Sequence, residues 1–327
     1  MKKFYFLCAL CATVLTANAT EGALSGLFSV NDQGKQIQFS QGNLQYHCTS
    51  HVWQFAAHQY DVIDSVSNSF ISDEYNGWVD LFGWGTGGDP TSKQRRQSFV
   101  DWGVNAISNG GDKPNTWRTL TSDEWNYLLV ERTNAATLFT LATVNNVLGM
   151  ILLPDNWEEP DGVDLTISSA EGLVYVPNYG TYTDMDKDNN HFDDNIFTAT
   201  EWNAVEAAGA VFLPVNPFRI EDGTDAGSYD DYESTGYYWT GIDGKLHHIY
   251  GVADNFVLSP AEVWPVSSNA KENGFAVRLV YCPECAATTA MEQTAEPQSS
   301  ATKYIKDGRL VILRNGQTFT AQGTQLQ

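Results

Sequence analysis

Residues 115–128, NTWRTLTSDEWNYL, carry the clearest local structural signal in this 327-residue chain. Thr121 or Ser122 is suited to cap a helix, because its hydroxyl accepts a hydrogen bond from a free amide of the first turn. Acidic side chains follow in that turn, where they face the positive end of the helix dipole. Trp125 and Leu128 then fall on one face. The stretch predicts a capped amphipathic helix, and we assign both of its tryptophans, Trp117 and Trp125, to the core.

A second stretch, TATEW at residues 198–202, repeats this arrangement of threonine, glutamate and tryptophan. Trp202, Val205 and Ala208 form the buried stripe of the predicted helix, and Gly209 ends it, since glycine readily adopts the left-handed conformation found there. Most of the remaining sequence reads as short alternating runs separated by turn residues. The expected fold class is α+β, with two helices, short and mostly antiparallel strands, and long loops.

Four parts follow one another along the chain. Residues 1–19 have a lysine-containing start, an apolar run and an Ala-Asn-Ala end, which predicts a cleaved signal peptide. Residues 22–283 form the folded body, and residues 284–302 lose hydrophobicity, which is typical of a linker. Residues 303–327 hold two alternating runs around Asn315-Gly316, the turn chemistry of a β-hairpin.

Acidic residues dominate the charge. Eighteen Lys and Arg stand against 40 Asp and Glu, a formal net charge of −22 at pH 7, and loss of the signal peptide removes two lysines and leaves −24. This charge repels nucleic acid phosphates and anionic membrane surfaces, so neither is an expected partner.

The signal peptide's apolar run falls short of the roughly 18–20 residues that span a bilayer, and no later segment approaches that length. We expect an exported protein without a transmembrane segment.

Three cysteines remain after signal cleavage. Cys282 and Cys285 have the spacing of a metal knuckle, but a tetrahedral zinc site needs a second pair, which the sequence lacks. An exported protein favours disulfide formation. We therefore predict a disulfide at Cys282 and Cys285, formed either between the two or from one of them to Cys48, with one thiol left over.

Three segments carry a resemblance to a known family. Residues 117–127 resemble the helix start "W-R-L-P-T-x-x-E-W-E-Y" of formylglycine-generating-enzyme-like proteins, and residues 274–280, GFAVRLV, resemble their closing "G-F-R" strand. Residues 237–240, YYWT, are similar to the "Y-W-S-S" strand of the related Fibrobacter succinogenes major paralogous domain. The resemblance covers about residues 22–280. It implies a C-type-lectin-like fold in an exported bacterial protein, either secreted or on the cell surface.

The resemblance does not extend to enzyme chemistry. Formylglycine-generating enzymes use a late cysteine pair that binds copper, whereas residues 49–281 of this chain contain no cysteine. Calcium-dependent lectins use a downstream Trp-Asn-Asp that is also missing from the sequence. We expect a non-catalytic protein that recognises an extracellular protein or glycan. The alternative is a carbohydrate-active or protein-modifying enzyme with an unrecognised site.

One acidic loop has the spacing of a calcium site. Asp184, Asp186, Asp188 and Asn190 alternate along the chain, so their oxygens can face one hard cation. The sixth and twelfth positions hold Asn, where calcium-binding loops of the helix–loop–helix type hold Gly and Glu. The loop is therefore predicted either to bind calcium weakly or to be a solvated acidic insertion.

A tyrosine-rich loop is the predicted ligand site. Tyr229, Tyr232 and Tyr237 surround a Gly/Asp/Ser segment, a composition that suits adaptable recognition of protein or glycan surfaces. In C-type-lectin-like folds this late loop region is where ligands usually dock.

Residues 308–319 resemble a C-terminal segment of many exported bacterial proteins, which suggests sorting or surface attachment; the alternative is a hairpin that pairs with a sheet edge.

Overall fold

The computed structural model of the chain describes residues 21–94, 98–167, 174–175, 190–216, 218–220, 235–242, 252–258 and 262–282 and, near the C-terminus, 302–306, 309–314, 317–320 and 325–326. The chain divides into two units, Met1–Cys282 and Pro283–Gln327. The predicted signal peptide and nearly all of the predicted linker lie outside the described residues.

Short strands make up most of the regular structure. Within the described ranges they are β1 Phe28–Ser29, β2 Gln36–Ile37, β3 Leu44–His47, β4 Val52–Phe55, β5 Trp78–Val79, β6 Trp117–Thr119, β7 Phe139–Val144, β8 Val147–Leu152, β9 Val174–Tyr175, β10 Ile196–Phe197, β11 Val211–Pro214, β12 Gly236–Trp239, β13 Val252–Leu258, β14 Glu262–Ala270, β15 Leu279–Tyr281, β16 Thr302–Lys306, β17 Arg309–Arg314, β18 Gln317–Thr320 and β19 Gln325–Leu326.

Helices are few and short in the described residues. They are α1 Ser65–Ser69, α2 Ser122–Asn126 and α3 Ala199–Ala207, with a π-helical turn at Tyr127–Glu131 and 3-10 turns at Trp102–Val104, Ala135–Thr137 and His191–Asp193. The π-helical turn directly continues α2. The two helices predicted from sequence are α2 and α3.

The strands of the first unit form several small sheets. Two have four strands, in the orders β10-β7-β8-β11 and β12-β13-β14-β9, and the others are β4-β3-β5, β1-β2 and β15-β6. Only the pairs β10 with β7 and β14 with β9 are parallel among the strand pairs described. The fold class is therefore α+β with small, mostly antiparallel sheets, as expected from the sequence.

The first and last described segments of the first unit are linked by hydrogen bonds through residues 39 and 40. Ala23 bridges Ser40, and Phe39 bridges Val280 of β15. The amide of Ser40 donates to the carbonyl of Leu279 at 2.9 Å. The entry and exit segments thus lie side by side at one edge of the β15-β6 pair.

Both predicted helices begin with a reciprocal cap. Thr121 accepts a hydrogen bond from the amide of Glu124, whose carboxylate accepts one from the Thr121 amide. Thr198 and Glu201 repeat this pairing at α3. Each cap satisfies amides that the helix itself leaves unpaired. The sequence left Thr121 and Ser122 open as the first cap, and the structure selects Thr121.

Tryptophans occupy the centres of the core. Trp125 of α2 stacks on Phe256 of β13, with ring centroids 4.8 Å apart and planes 7° from parallel. Trp202 of α3 packs against Phe212 of β11. Trp117 is buried in a third cluster between the small sheets. The prediction that these three tryptophans are core residues is confirmed.

Helix α1 was not expected from the sequence. It buries Asn68 and leaves Val66 exposed, the reverse of the pattern by which an amphipathic helix is recognised. Asn68 is buried because its amide group binds the backbone of Asp80 and Leu81. Pattern reasoning assigns asparagine to turns, so a helix held by a buried asparagine escapes it.

The second unit contains more strand than the predicted hairpin. Strands β16, β17, β18 and β19 pair in sequence order, each antiparallel to the next. Arg314 of β17 lies opposite Gln317 of β18, and the predicted turn residues Asn315 and Gly316 lie outside the described residues. The predicted hairpin is thus the centre of a four-stranded sheet.

Candidate functional site

Tyr237 is the one predicted ligand-site tyrosine among the described residues. Its half-buried ring stacks on Phe275, with centroids 4.8 Å apart and planes 22° from parallel, and meets Phe218 nearly edge-on at 5.4 Å. Strand β12 supplies Tyr237, and it pairs with β13 in register from Gly236 to Trp239. The position of Tyr237 is therefore fixed by its strand, and its ring contacts two other aromatic rings. Tyr229 and Tyr232 lie outside the described residues.

The next residue of β12 points into the core. The Tyr238 hydroxyl donates to the carbonyl of Pro214 at 2.6 Å and accepts from Asn216 at 3.1 Å and Asn43 at 3.4 Å. Burial raises the pKa of Tyr238 well above its usual value. Because neighbouring strand residues face opposite sides, Tyr238 fixes which side Tyr237 takes. Trp239 is buried as well, so Tyr238 and Trp239 do not alternate between core and surface, and of these three residues only Tyr237 is partly exposed.

Arg219 lies next to this aromatic group, one residue after Phe218. It bridges Gly274 in both directions, at 3.0 Å from the Arg219 amide and 2.7 Å from the Gly274 amide. Its side chain is fully buried, and none of its three guanidinium nitrogens has a hydrogen-bond partner within the described part of the chain. Burial lowers the pKa of Arg219 to about 10. Among the described residues, the guanidinium of Arg219 therefore has no hydrogen-bond acceptor.

Gly274 gives Arg219 the room it occupies. A Cβ at position 274 would lie 2.9 Å from Nε and 3.0 Å from Nη2 of Arg219. The guanidinium therefore lies directly over the backbone of Gly274. A side chain at position 274 would push the guanidinium away. Gly274 opens the segment that resembles the "G-F-R" strand, so the resemblance drew attention to this glycine but not to the arginine it accommodates.

Arg278 is a second buried arginine, and both of its terminal guanidinium nitrogens are hydrogen-bonded. Its Nη1 donates to Oδ1 of Asn43 at 3.3 Å, and its Nη2 donates to Oε1 of Gln59 at 2.8 Å. Burial lowers the pKa of Arg278 to about 10 as well. These bonds join segments more than 200 residues apart in the chain, so Arg278 has a structural task. Arg219 has no such task among the described residues.

Sequence reasoning missed Arg219, although one signal pointed to it. It is the single cation between Lys187 and Lys245, a segment otherwise rich in Asp and Glu. A lone basic residue in an acidic segment, directly beside aromatic residues, is a candidate for binding an acidic group. Its burial could not be read from the sequence.

Of the four residues in the predicted calcium site, only Asn190 lies among the described residues. Asn190 caps the 3-10 turn His191–Asp193: its Oδ1 accepts from the amide of Phe192 at 3.3 Å and its Nδ2 donates to Asp193 at 2.9 Å. Asp184, Asp186 and Asp188 lie outside the described residues. Within the described ranges no group of three His, Cys, Asp or Glu side chains could hold a metal ion. Calcium binding therefore stays a prediction.

The cysteines are partly located. Cys48 is a buried free thiol, and burial raises its pKa. Cys282 is also buried and is in a disulfide whose second cysteine lies outside the described residues. Because Cys48 is free, the pairing through Cys48 is not the one formed. A bond between Cys282 and Cys285 stays the prediction.

Two carboxylates accept hydrogen bonds from backbone amides: Asp80, which is buried, and Asp101, which is half-buried. Asp80 accepts from the amide of Ile63 and the side chain of Asn68, and burial raises its pKa to about 7. Asp101 accepts from the amides of Gly103 and Thr119, and burial raises its pKa too. Each carboxylate joins segments that lie at least 12 residues apart in the chain, so both have structural partners.

Comparison with known proteins gave no match to a family model, a curated protein or a solved structure. Among the helices in the described ranges, none combines the length and the apolar character that crossing a membrane requires. Function must therefore be argued from the residues themselves.

Proposed function

We propose that this chain is an exported, non-catalytic recognition protein, secreted or held at a bacterial cell surface. Its folded body is a C-type-lectin-like domain that binds an extracellular protein or glycan through the loop carrying Tyr229, Tyr232 and Tyr237. The fold proposal rests on the sequence resemblance, together with two capped helices and short antiparallel strands.

The fixed ring of Tyr237 carries the proposal. A tyrosine held by Phe218 and Phe275 has little conformational freedom left to lose when a ligand contacts it. Its phenol adds a hydrogen-bonding group to an apolar ring, which suits both peptide and sugar surfaces. The buried cation of Arg219 next to this ring adds an attraction for acidic groups.

Alanine substitution of the tyrosines tests the site. We expect Tyr229→Ala, Tyr232→Ala and Tyr237→Ala each to weaken binding to a ligand found on a glycan array or by host-protein pull-down, by roughly tenfold where the ring is a central contact. Tyr60→Ala is the matched control, since Tyr60 is also half-buried and stacks on a neighbouring ring, that of His58. Equal losses in Tyr60→Ala and Tyr237→Ala would refute this site.

Calcium is proposed to order the acidic loop rather than to take part in chemistry. Full occupancy at millimolar calcium should raise the melting temperature, since the ion binds only the folded chain. The measurement is a thermal melt with calcium and with chelator, on the wild type and on the double variant Asp186→Asn/Asp188→Asn. An identical melt in both conditions would remove calcium from the proposal.

The C-terminal segment is proposed to act in sorting or surface attachment. Its support is the resemblance of residues 308–319 to C-terminal segments of exported proteins. Deletion of residues 303–327 should leave the protein exported but change its distribution between cell surface and medium. Unchanged distribution would leave the four-stranded sheet with a purely structural role.

A further inference from the structure

Helix α1 presents an apolar stripe to solvent. Val62, Val66 and Phe70 follow one another at intervals of four residues, and their exposed fractions are 36%, 62% and 55%. Residues four apart lie on the same side of a helix, so Val66 and the C-cap residue Phe70 align along α1, and Val62 is exposed two residues before the N-cap Asp64. Scattered single apolar residues are normal on a protein surface, whereas an aligned set marks an interaction surface.

The helix cannot turn this stripe inward. On its other side, Oδ1 of Asn68 accepts from the amides of Asp80 and Leu81 at 2.9 and 3.0 Å, and its Nδ2 donates to Asp80 at 2.8 Å. Asp64 caps the start of the helix by accepting from the amide of Ser67 at 2.8 Å. Rotation that buried Val66 would break these bonds and expose the carboxylate of Asp80. The exposure of the stripe is therefore built into the fold.

An aromatic contact continues the surface beyond the helix. The rings of Phe70 and Tyr75 are 5.7 Å apart, and the amide of Tyr75 donates to the carbonyl of Ser72, which closes a turn between them. Asp73 and Glu74 stand exposed in this turn. We call Val62, Val66, Phe70 and Tyr75 the α1 patch.

Carboxylates surround the α1 patch. Asp64 is exposed at one end and Asp73 and Glu74 at the other, and Asp61 is half-exposed beside Val62. The sequence contains no Lys or Arg between Lys35 and Lys93. Lys93 itself donates to the carbonyl of Ser69 at 3.2 Å, which ties its ammonium to the end of α1. The patch is thus apolar at its centre and negative at its rim.

We propose that the α1 patch docks a cationic amphipathic polypeptide segment, one with apolar side chains on one face and Lys or Arg beside them. The apolar centre requires an apolar complement, and the acidic rim selects positive charge over negative charge. Anionic lipid and nucleic acid share the sign of the rim and are repelled. The site is separate from Tyr237, so it adds a second partner surface to the recognition function proposed above.

The direct test uses a synthetic amphipathic helix of about 18 residues with Leu on one face and Lys on the other. Fluorescence anisotropy measures its binding to the full chain, which we expect to be saturable and to weaken as salt screens the rim. The double variant Val66→Ser/Phe70→Ser keeps every charge and should weaken binding about tenfold or more, because the apolar contact is lost. Ile196→Ser, at an equally exposed apolar residue elsewhere, is the matched control and should not weaken it.

A second pair of variants isolates the rim. Asp73→Asn/Glu74→Gln should weaken binding several-fold more than Glu158→Gln/Asp161→Asn, which removes the same charge from exposed acids far along the chain. Equal binding by Val66→Ser/Phe70→Ser and wild type would overturn the proposal, since attraction to the net charge alone would explain the result. So would stronger binding to vesicles of anionic lipid, or a concentration-dependent dimer in sedimentation that the patch variant abolishes. Because no measurement involves Tyr237, failure here leaves the tyrosine site to its own test.

Discussion

Arg219 and Arg278 are both buried in the first unit, and they differ in what surrounds their guanidinium groups. Arg278 donates to Asn43 and Gln59, whereas Arg219 has no hydrogen-bond partner among the described residues. A buried charge costs several kcal/mol unless bonds compensate for it. Removing the charge should therefore change the free energy of unfolding in opposite directions at the two positions.

Replacing each arginine with methionine separates the two cases. Arg278→Met should lower the free energy of unfolding by about 1–3 kcal/mol, because it leaves Asn43 without its donor. Arg219→Met should be neutral or stabilising in the absence of ligand, because it removes an uncompensated charge. Chemical denaturation of both variants measures the difference. A large loss of stability in Arg219→Met would show that Arg219 has a structural partner and would end its candidacy as a binding group.

Asp80 predicts how stability depends on pH. Burial raises its pKa to about 7 in the folded chain, whereas an unfolded aspartate has a pKa near 3.9. The folded state thus binds this proton more tightly, and the stabilisation is complete below about pH 4 and lost as the pH rises to about 7. Between these values the free energy of unfolding should fall by up to about 1.4 kcal/mol per pH unit relative to Asp80→Asn. Urea titrations of both proteins at several pH values measure this, and parallel pH profiles would contradict it.

At this scale the sequence foretells apolar residues better than polar ones. Trp117, Trp125 and Trp202 were assigned to the core from their positions in patterned segments, and all three are buried. Asn68 and Arg219 are buried too, yet no pattern marks them. Their burial depends on partners or spaces supplied by distant segments, such as Gly274 for Arg219, which only the folded chain brings near.

Among the elements, α3 allows a clean test of helix capping. Thr198 is exposed, so Thr198→Ala removes the hydroxyl that accepts from the Glu201 amide without making a cavity. The loss should be about 1 kcal/mol in the free energy of unfolding, and Thr198→Ser, which keeps the hydroxyl, should restore most of it. Denaturant titration of the three proteins is sufficient. Equal stability of Thr198→Ala and wild type would mean that packing of Trp202 alone holds this end of the helix.

Helices whose signals are local were predictable, and the one whose signal is distant was not. The caps of α2 and α3 use residues three apart in sequence, so their boundaries followed from TSDEW and TATEW. Helix α1 depends on Asn68 reaching Asp80, twelve residues away. The candidate sites divide in the same way: Tyr237 came from composition, while the α1 patch required knowing which face Asn68 buries.

For the whole molecule, charge is the dominant long-range term. A net charge of −22 makes the folded chain repel itself more than the expanded one does. Added salt screens this repulsion, so the melting temperature should rise by a few degrees, ~2–5 °C, between about 0.01 and 0.3 M KCl with chelator present. Differential scanning fluorimetry across that series tests it. A falling melting temperature would mean that attractive ion pairs outweigh the net repulsion.

The contact between the two ends of the first unit sets the order in which the molecule can be completed. A ribosome releases Phe39 early, and its bridging partner Val280 some 240 residues later. Phe39 therefore lacks this partner until nearly the entire unit has been synthesised, because β15 is the last strand described in the unit. The same closeness means that a short linker could join residue 282 to residue 22, and new ends could be opened in a surface loop. The described ends of the unit are thus close enough that the backbone could be joined there and opened at another position.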